Sequence, residues 1–175
     1  MNIAVLGTGR VGGTLGKRWA QLGHRVVFGT RDPAHEKVAP LLAQAGENAS
    51  AASIAEAVKR CEVIVLAIPW PVAQHELTRH QLDGKVLIDC TNPLNASFSG
   101  LDLGFDTSAA ERIATWAKGA KVVKAFNTVS SAAMADPIFA GEPATMFYCG
   151  DDESAKRIVG QLAAELGFEA VDAGR

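Results

Sequence analysis

Six residues near the amino terminus, Gly7-Thr8-Gly9-Arg10-Val11-Gly12, place glycine at the spacing G-x-G-x-x-G. They follow a short apolar run, Ile3–Leu6, and open a stretch of helical periodicity, Val11–Leu22, and that strand-to-helix context gives the spacing its meaning. Gly7 permits a tight turn, Gly9 lets the backbone come close to a pyrophosphate, and Gly12 lets the helix pack on the sheet. The free N–H groups at the start of the helix, at the positive end of its dipole, are then available to negative charge. Gly7, Thr8, Gly9, Arg10, Val11 and Gly12 are therefore the candidate cradle for the diphosphate of a dinucleotide.

The choice of dinucleotide is made at the end of the second strand, where a site selective for NAD uses Asp or Glu to hold the ribose hydroxyls. Here Val26–Gly29 runs into Thr30-Arg31. A hydroxyl followed by a guanidinium suits a 2′-phosphate, because Arg donates a charge-assisted fork and stacks on adenine. The pair predicts NADP(H). Asp32 is the competing acidic ligand, but it precedes Pro33 and is placed to cap the following helix. His35 or Lys37 stands to add a second positive contact, or else to be a solvated helix residue; the sequence leaves both open.

Three further segments fall where parallel strands end: Ile68-Pro69-Trp70, Asp89-Cys90-Thr91-Asn92-Pro93 and Phe126-Asn127-Thr128. Open α/β sheets bind ligands at those carboxyl ends. Ile68, Pro69 and Trp70 are expected beside the nicotinamide half, with anchoring of the next helix as the competing role for Trp70. Asn92 and Asn127 are expected to hydrogen-bond a ribose or carboxamide, with plain turn formation as the competitor. No catalytic acid or base stands out. The single tyrosine, Tyr148, has Asp152 four residues on, so the Tyr-x-x-x-Lys pair of short-chain dehydrogenases is absent. His24, His35, His75 and His80 fall on a strand entry or on helices and are read as surface residues. Cys61, Cys90 and Cys149 are widely spaced and show no metal-ligand or disulfide pattern, which makes them free thiols of a reducing compartment.

The elements that must position these residues alternate along the whole chain. Strands are expected at Ile3–Leu6, Val26–Gly29, Val63–Ile68, Val86–Asp89, Val122–Phe126, Met146–Cys149 and Glu169–Val171, with a weak one near Asn48–Ser50. Helices are expected at Val11–Leu22, Pro33–Ala45, Ser53–Cys61, Pro71–Leu82, Ser108–Lys118, Ser130–Ala135 and Asp152–Leu166. Several strands are continuously apolar, as burial on both faces requires. The reading is an α/β fold of the Rossmann type: a doubly wound, mostly parallel sheet in three α/β/α layers, forming a single NADP(H)-binding domain over residues 1–175. Asn92–Phe105 is the one long loop. With 48% hydrophobic and 21% charged residues and a net charge of -2, the composition is that of a soluble globular chain with no bias toward nucleic acid. No run approaches the ~20 apolar residues of a membrane span and no signal peptide opens the chain, so a cytoplasmic protein is expected.

Taken together, the stretches Gly7–Gly12, Leu22-Gly23-His24, Gly29-Thr30-Arg31-Asp32-Pro33, Ala67-Ile68-Pro69-Trp70, Asp89-Cys90-Thr91-Asn92-Pro93-Leu94 and Lys124-Ala125-Phe126-Asn127-Thr128 make the chain resemble the F420-dependent NADP oxidoreductases. The resemblance implies hydride exchange between NADP(H) and coenzyme F420 or another flavin-like acceptor, the two rings stacked face to face. Such a transfer depends on proximity and orientation more than on an acid, in keeping with the missing acid. It also implies pyrophosphate binding by Gly7 through Gly12, 2′-phosphate binding by Thr30 and Arg31, and a homodimer. The resemblance further implies a helical segment past Asp172-Ala173-Gly174, which family members usually carry. Two other functions stay open on the residues alone: an NADPH-dependent reductase of a small carbonyl or imine, which would need an acid, and a non-catalytic NADP(H)-binding module.

Overall fold

The computed structural model describes every residue of the chain except 96, 98 and 105. Its centre is a six-stranded parallel sheet in the order β3-β2-β1-β4-β5-β6, made of β1 (Asn2–Leu6), β2 (Arg25–Thr30), β3 (Ala49–Ser53), β4 (Val63–Leu66), β5 (Val86–Asp89) and β6 (Lys121–Lys124). The order reverses between β1 and β4, and the crevice at that reversal is where such sheets take ligands. Leu6 lies opposite Gly29 on one side and Leu66 on the other, so the glycine loop after β1 leaves the sheet at this point.

Alternation along the central strands divides the core into two layers. Ile3 and Val5 face α1 (Arg10–Gln21) and α7 (Glu153–Glu165), with Leu15, Trp19, Val159 and Leu162 packed around them. Ala4 and Leu6 face α3 (Ile54–Arg60), α4 (Trp70–Leu77) and α5 (Ala109–Trp116), through Ala57, Val58, Ala73, Leu77 and Ile113. Trp19 is fully buried and its indole N–H donates to the Leu162 carbonyl at 3.1 Å, which ties α1 to α7.

Several expectations are corrected. The helix predicted from Pro33 begins at Val38, as α2 (Val38–Ala45). Asp32 Oδ1 accepts from the Ala34 N–H at 3.0 Å and His35 Nδ1 from the Lys37 N–H at 3.2 Å, so side chains satisfy these donors in a turn instead. Asp32 thus caps a turn, not the helix. β4 stops at Leu66, two residues early, and α4 begins at Trp70 and ends at Leu77, short of Leu82. The weak third strand is real and longer than expected, because pairing from Val26–Ala49 to Thr30–Ser53 overrides the poor strand propensity of Ala and Ser. β9 (Thr145–Tyr148) and β10 (Glu169–Asp172) pair with each other in parallel and meet the main sheet through a single antiparallel bridge, Lys124–Cys149. Between β6 and β9 lie α6 (Ser131–Ala135) and an unexpected hairpin, β7 (Ile138–Phe139) with β8 (Glu142–Pro143). The loop after Asn92 is partly ordered by a Leu94–Leu101 bridge; its expected end at residue 105 lies outside the described residues.

His24, read as a surface residue, is buried: its Nε2 lies 2.7 Å from Glu165 and its Nδ1 3.2 Å from the terminal amine of Met1. Cys61, Cys90 and Cys149 are all free thiols. Burial raises the pKa of Cys90 far above its usual value, which leaves it a small apolar filler. No helix among the described residues is long and apolar enough to cross a membrane.

Candidate functional site

A cleft of about 720 Å³ opens at the carboxyl ends of β1, β2 and β4. Its floor is the glycine loop. Gly7 has φ 104°, a conformation an L side chain rarely adopts, and its N–H is held by the Gly29 carbonyl at 3.1 Å. Gly12 lies beneath the loop: a Cβ there would stand 2.1 Å from the Gly7 carbonyl oxygen, so this glycine serves the packing of α1 on the turn. At Gly9 a Cβ would meet no protein atom within 4 Å. The space above Gly9 belongs to the cleft.

The helix that starts there is also bare. α3, α5, α6 and α7 each have a side chain accepting from their first turn, from Ser53, Ser108, Ser130 and Asp152 respectively. α1, like α2 and α4, has no side-chain cap and no acidic residue in its first turn; its cap position is Gly9, on the cleft. The N–H groups of the first turn thus face the cleft with their partial positive charge uncompensated by the chain.

The second wall is the end of β2. Thr30 and Arg31 line the cleft. Arg31 is exposed and joins no ion pair among the described residues. Asp32, engaged by Ala34, does not line the cleft. Neither does His35, whose ring is turned to the Lys37 N–H.

Ile68 and Pro69 form the wall opposite, and the cleft continues onto α4. Val72, His75 and Glu76 line it at spacings of three and four residues, and Ile54 closes it from the start of α3. Sequence reading did not place these residues in the site. The signal was available only as helical periodicity: with Pro71 at the start of α4, positions 72, 75 and 76 share a face. His75 Nε2 lies 2.7 Å from Arg79 Nη1. A guanidinium only donates, so Nε2 accepts and the ring proton resides on Nδ1. Trp70 is not in the cleft; it is half-buried and packs on Trp116 with ring centroids 5.1 Å apart.

Asn92 and Asn127 lie beyond the cleft, past β5 and β6, and the structure joins them to each other. Asn92 Nδ2 donates to the Asn127 carbonyl at 3.1 Å, and Asn127 Nδ2 donates to Asn92 Oδ1 at 3.3 Å. Beneath them lies a network the sequence did not reveal. Asp89 is fully buried; its Oδ2 accepts from Lys124 Nζ at 2.8 Å and its Oδ1 from the N–H and hydroxyl of Thr91 at 2.8 and 2.7 Å. Lys124 Nζ also donates to the Thr91 carbonyl. Phe126, just before Asn127, has φ 66°, a strained conformation for an aromatic residue, of the order of 1–3 kcal/mol. Edge-to-face contacts with Trp19 and Phe168 hold it there, at centroid distances of 5.8 and 6.3 Å.

These features fit a phosphorylated dinucleotide: open space over Gly9, a bare helix start and an unpaired guanidinium share one cleft. A second depression, at the amino ends of β2 and β3, is lined by Glu47, Asn48, Arg25 and Arg60. It receives the carboxyl ends of α2 and α3, whose dipoles disfavour anions. No group of three or more His, Cys, Asp or Glu among the described residues is placed to hold a metal ion.

The whole chain is similar to known proteins. A family model described as NADP oxidoreductase, coenzyme F420-dependent, matches residues 2–93, from β1 through the turn after β5. The F420-dependent NADP reductase of Methanothermobacter marburgensis is 34% identical over 190 residues, an alignment covering 99% of this chain and 84% of that one. Among solved structures, a hypothetical protein from Sinorhizobium meliloti superimposes with a TM-score of 0.88 at 29% identity, over 99% of this chain and 85% of that one. A reductive aminase from Aspergillus terreus, in complex with NADPH4, cyclohexanone and allyl amine, has a TM-score of 0.72 at 21% identity, the match covering 99% of this chain and 54% of that one; that likeness is one of fold.

Proposed function

The chain belongs to the family of coenzyme F420-dependent NADP oxidoreductases, and from that premise we propose that it exchanges a hydride between NADP(H) and coenzyme F420, with the residues of the cleft in the following roles. The N–H groups at the start of α1 bind the pyrophosphate, with Gly9 leaving room for it and Thr8, Arg10 and Val11 bordering it. Arg31 forms a charge-assisted pair with the 2′-phosphate and Thr30 adds its hydroxyl. Val72 and Ile54 offer apolar surface to the adenine, and His75 a ring N–H. Ile68 and Pro69 wall the cleft toward the nicotinamide, where Asn92 and Asn127 orient ribose or carboxamide and exclude water. The nicotinamide, when bound, supplies the hydride; the chain's part is to hold its reacting face toward the acceptor. No side chain needs to donate a proton for that alignment.

The observation that carries this reading is the coincidence, in one cleft, of a bare helix start and an unpaired Arg31 at the distance of neighbouring strands. Calorimetric titration with NADPH and NADH, followed by stopped-flow mixing with oxidised F420, tests it. Preferential NADPH binding and rapid bleaching of F420 are expected. NADPH binding without turnover would make the chain a binding module, and turnover only with a small carbonyl or imine would change the acceptor. We further propose a homodimer, supported by the exposure of Ile138, Phe139 and Phe147 at 47, 58 and 52%, and a reducing, cytoplasmic setting, supported by the free thiols. Sedimentation velocity giving a monomer at micromolar concentration would remove the dimer.

A further inference from the structure

The carboxyl ends of β5 and β6 differ from those of the other strands in the sheet. β1 and β4 end in Leu6 and Leu66, both buried and apolar. β5 and β6 end in Asp89 and Lys124, directly opposite each other in the ladder. An ion pair whose carboxylate is fully buried, its lysine partly so, is a poor way to hold two strands together, since matched apolar residues serve as well or better. What this pair does that leucines could not is fix a turn. Asp89 takes both donors of Thr91 on one oxygen and Lys124 on the other, and Lys124 returns to the Thr91 carbonyl. The ring Asp89–Thr91–Lys124 leaves the backbone between β5 and Asn92 a single arrangement.

That arrangement is transmitted. Asn92 follows Thr91 and is bonded to both the backbone and the side chain of Asn127. Asn127 in turn follows Phe126, whose left-handed backbone is kept by its aromatic neighbours and whose N–H points to Met146 Sδ at 3.3 Å instead of a carbonyl. Both sides of the asparagine pair are thus over-determined from below. Neither Asp89 nor Lys124 borders the cleft.

We infer that Asp89 and Lys124 are positioning residues: by locking the Thr91–Asn92 turn they set the Asn92–Asn127 amide pair that orients the nicotinamide end of the dinucleotide, while contributing nothing to the adenosine end. The inference rests on the nicotinamide-side role proposed above for the two asparagines. It predicts a separation between affinity and alignment that a purely structural pair would not produce.

The test uses the double variant Asp89→Asn/Lys124→Met, which removes both charges together, and Thr91→Val, which removes one Asp89 partner and leaves the pair intact. Thr91→Ser, which keeps the hydroxyl, is the conservative control. Three quantities are measured: affinity for 2′-phospho-ADP-ribose, which lacks nicotinamide; the fluorescence enhancement of bound NADPH, which reports nicotinamide immobilisation; and the single-turnover rate with oxidised F420. The expected result is unchanged 2′-phospho-ADP-ribose affinity, a reduced fluorescence enhancement, and a turnover rate lowered by about tenfold or more in the double variant, as misplacement by a fraction of an ångström to an ångström produces. Thr91→Val should show the same pattern at about threefold, with Thr91→Ser near wild type. Folded variants with a lower melting temperature but wild-type fluorescence and rate would overturn the inference. If the double variant does not fold, Thr91→Val decides by the same criteria. If the wild-type protein binds NADPH but does not reduce F420, the acceptor reading fails while the fluorescence measurement still decides on positioning.

Discussion

The part of the cleft at the ends of β1 and β2, proposed above for the adenosine half, and the ends of β5 and β6 sit on the same rim of one sheet and are built in opposite ways. At the proposed adenosine end the polar groups have no partners among the described residues: the first turn of α1 has no side-chain cap, Gly9 has open space above it, and Arg31 pairs with no carboxylate. At β5 and β6 nearly everything is already paired, with Asp89, Thr91 and Lys124 closed into a ring and Asn92 bonded to Asn127. In the function proposed above, the first region meets a ligand's charge and governs affinity. The second offers rigid geometry and, on the same proposal, governs alignment. An NADP-dependent hydride transfer needs both, because tight binding of the phosphates does nothing for the rate unless the nicotinamide face is also fixed.

The sharpest way to break this division is within the glycine loop itself. Gly9→Val places its Cβ in free space, so the fold should survive with an unchanged melting temperature while NADPH affinity falls by two orders of magnitude or more, about 3 kcal/mol; a variant that binds normally would remove the pyrophosphate assignment. Gly12→Ala should show the reverse. Its Cβ would collide with the Gly7 carbonyl, and overpacking of that kind costs about 1–3 kcal/mol of stability, seen as a melting temperature lower by roughly 3–9 °C; a variant as stable as wild type would mean that the loop yields freely. The smallest effect concerns a helix start that the chain satisfies itself. Asp152 caps α7, and hydrogen bonds from Ser154 and the Ala155 N–H hold its pKa well below the ordinary 3.8. Its stabilising contribution is therefore full above that value and is lost as the pH falls below it. Asp152→Asn should lower the melting temperature slightly at pH 7, with the gap to wild type narrowing in acid; a gap independent of pH would contradict the charge-based account.

The same contrast explains how much could be read from the sequence. The turn from β1 through the glycine loop into α1, and the place of Thr30 and Arg31 at the end of β2 on the cleft, were legible because they follow from residue type and local spacing. Trp70 was ambiguous because an aromatic residue at a strand end serves a cleft or a core equally well, and only Trp116, distant in sequence, decides that it packs inward. Asp32 and His35 were misplaced because short polar side chains satisfied local N–H groups and deferred the start of α2 to Val38. The contributions of Val72, His75 and Glu76 depend on how α4 is rotated over the cleft. The Asp89–Lys124 pair joins residues 35 positions apart, and nothing in either local sequence marks it. Interactions written in one stretch of chain were visible, and those made by the register of two strands were not.

The central claim is that the extra phosphoryl group of NADP(H) finds its counter-charge at Arg31, and calorimetry of NADPH and NADH on the wild-type protein and on Arg31→Ala measures it most directly. The account predicts that wild type prefers NADPH and that the substitution weakens NADPH by about 1.5–3 kcal/mol while leaving NADH almost unchanged. Equal affinity of wild type for the two dinucleotides, or an equal loss of both in Arg31→Ala, would contradict it.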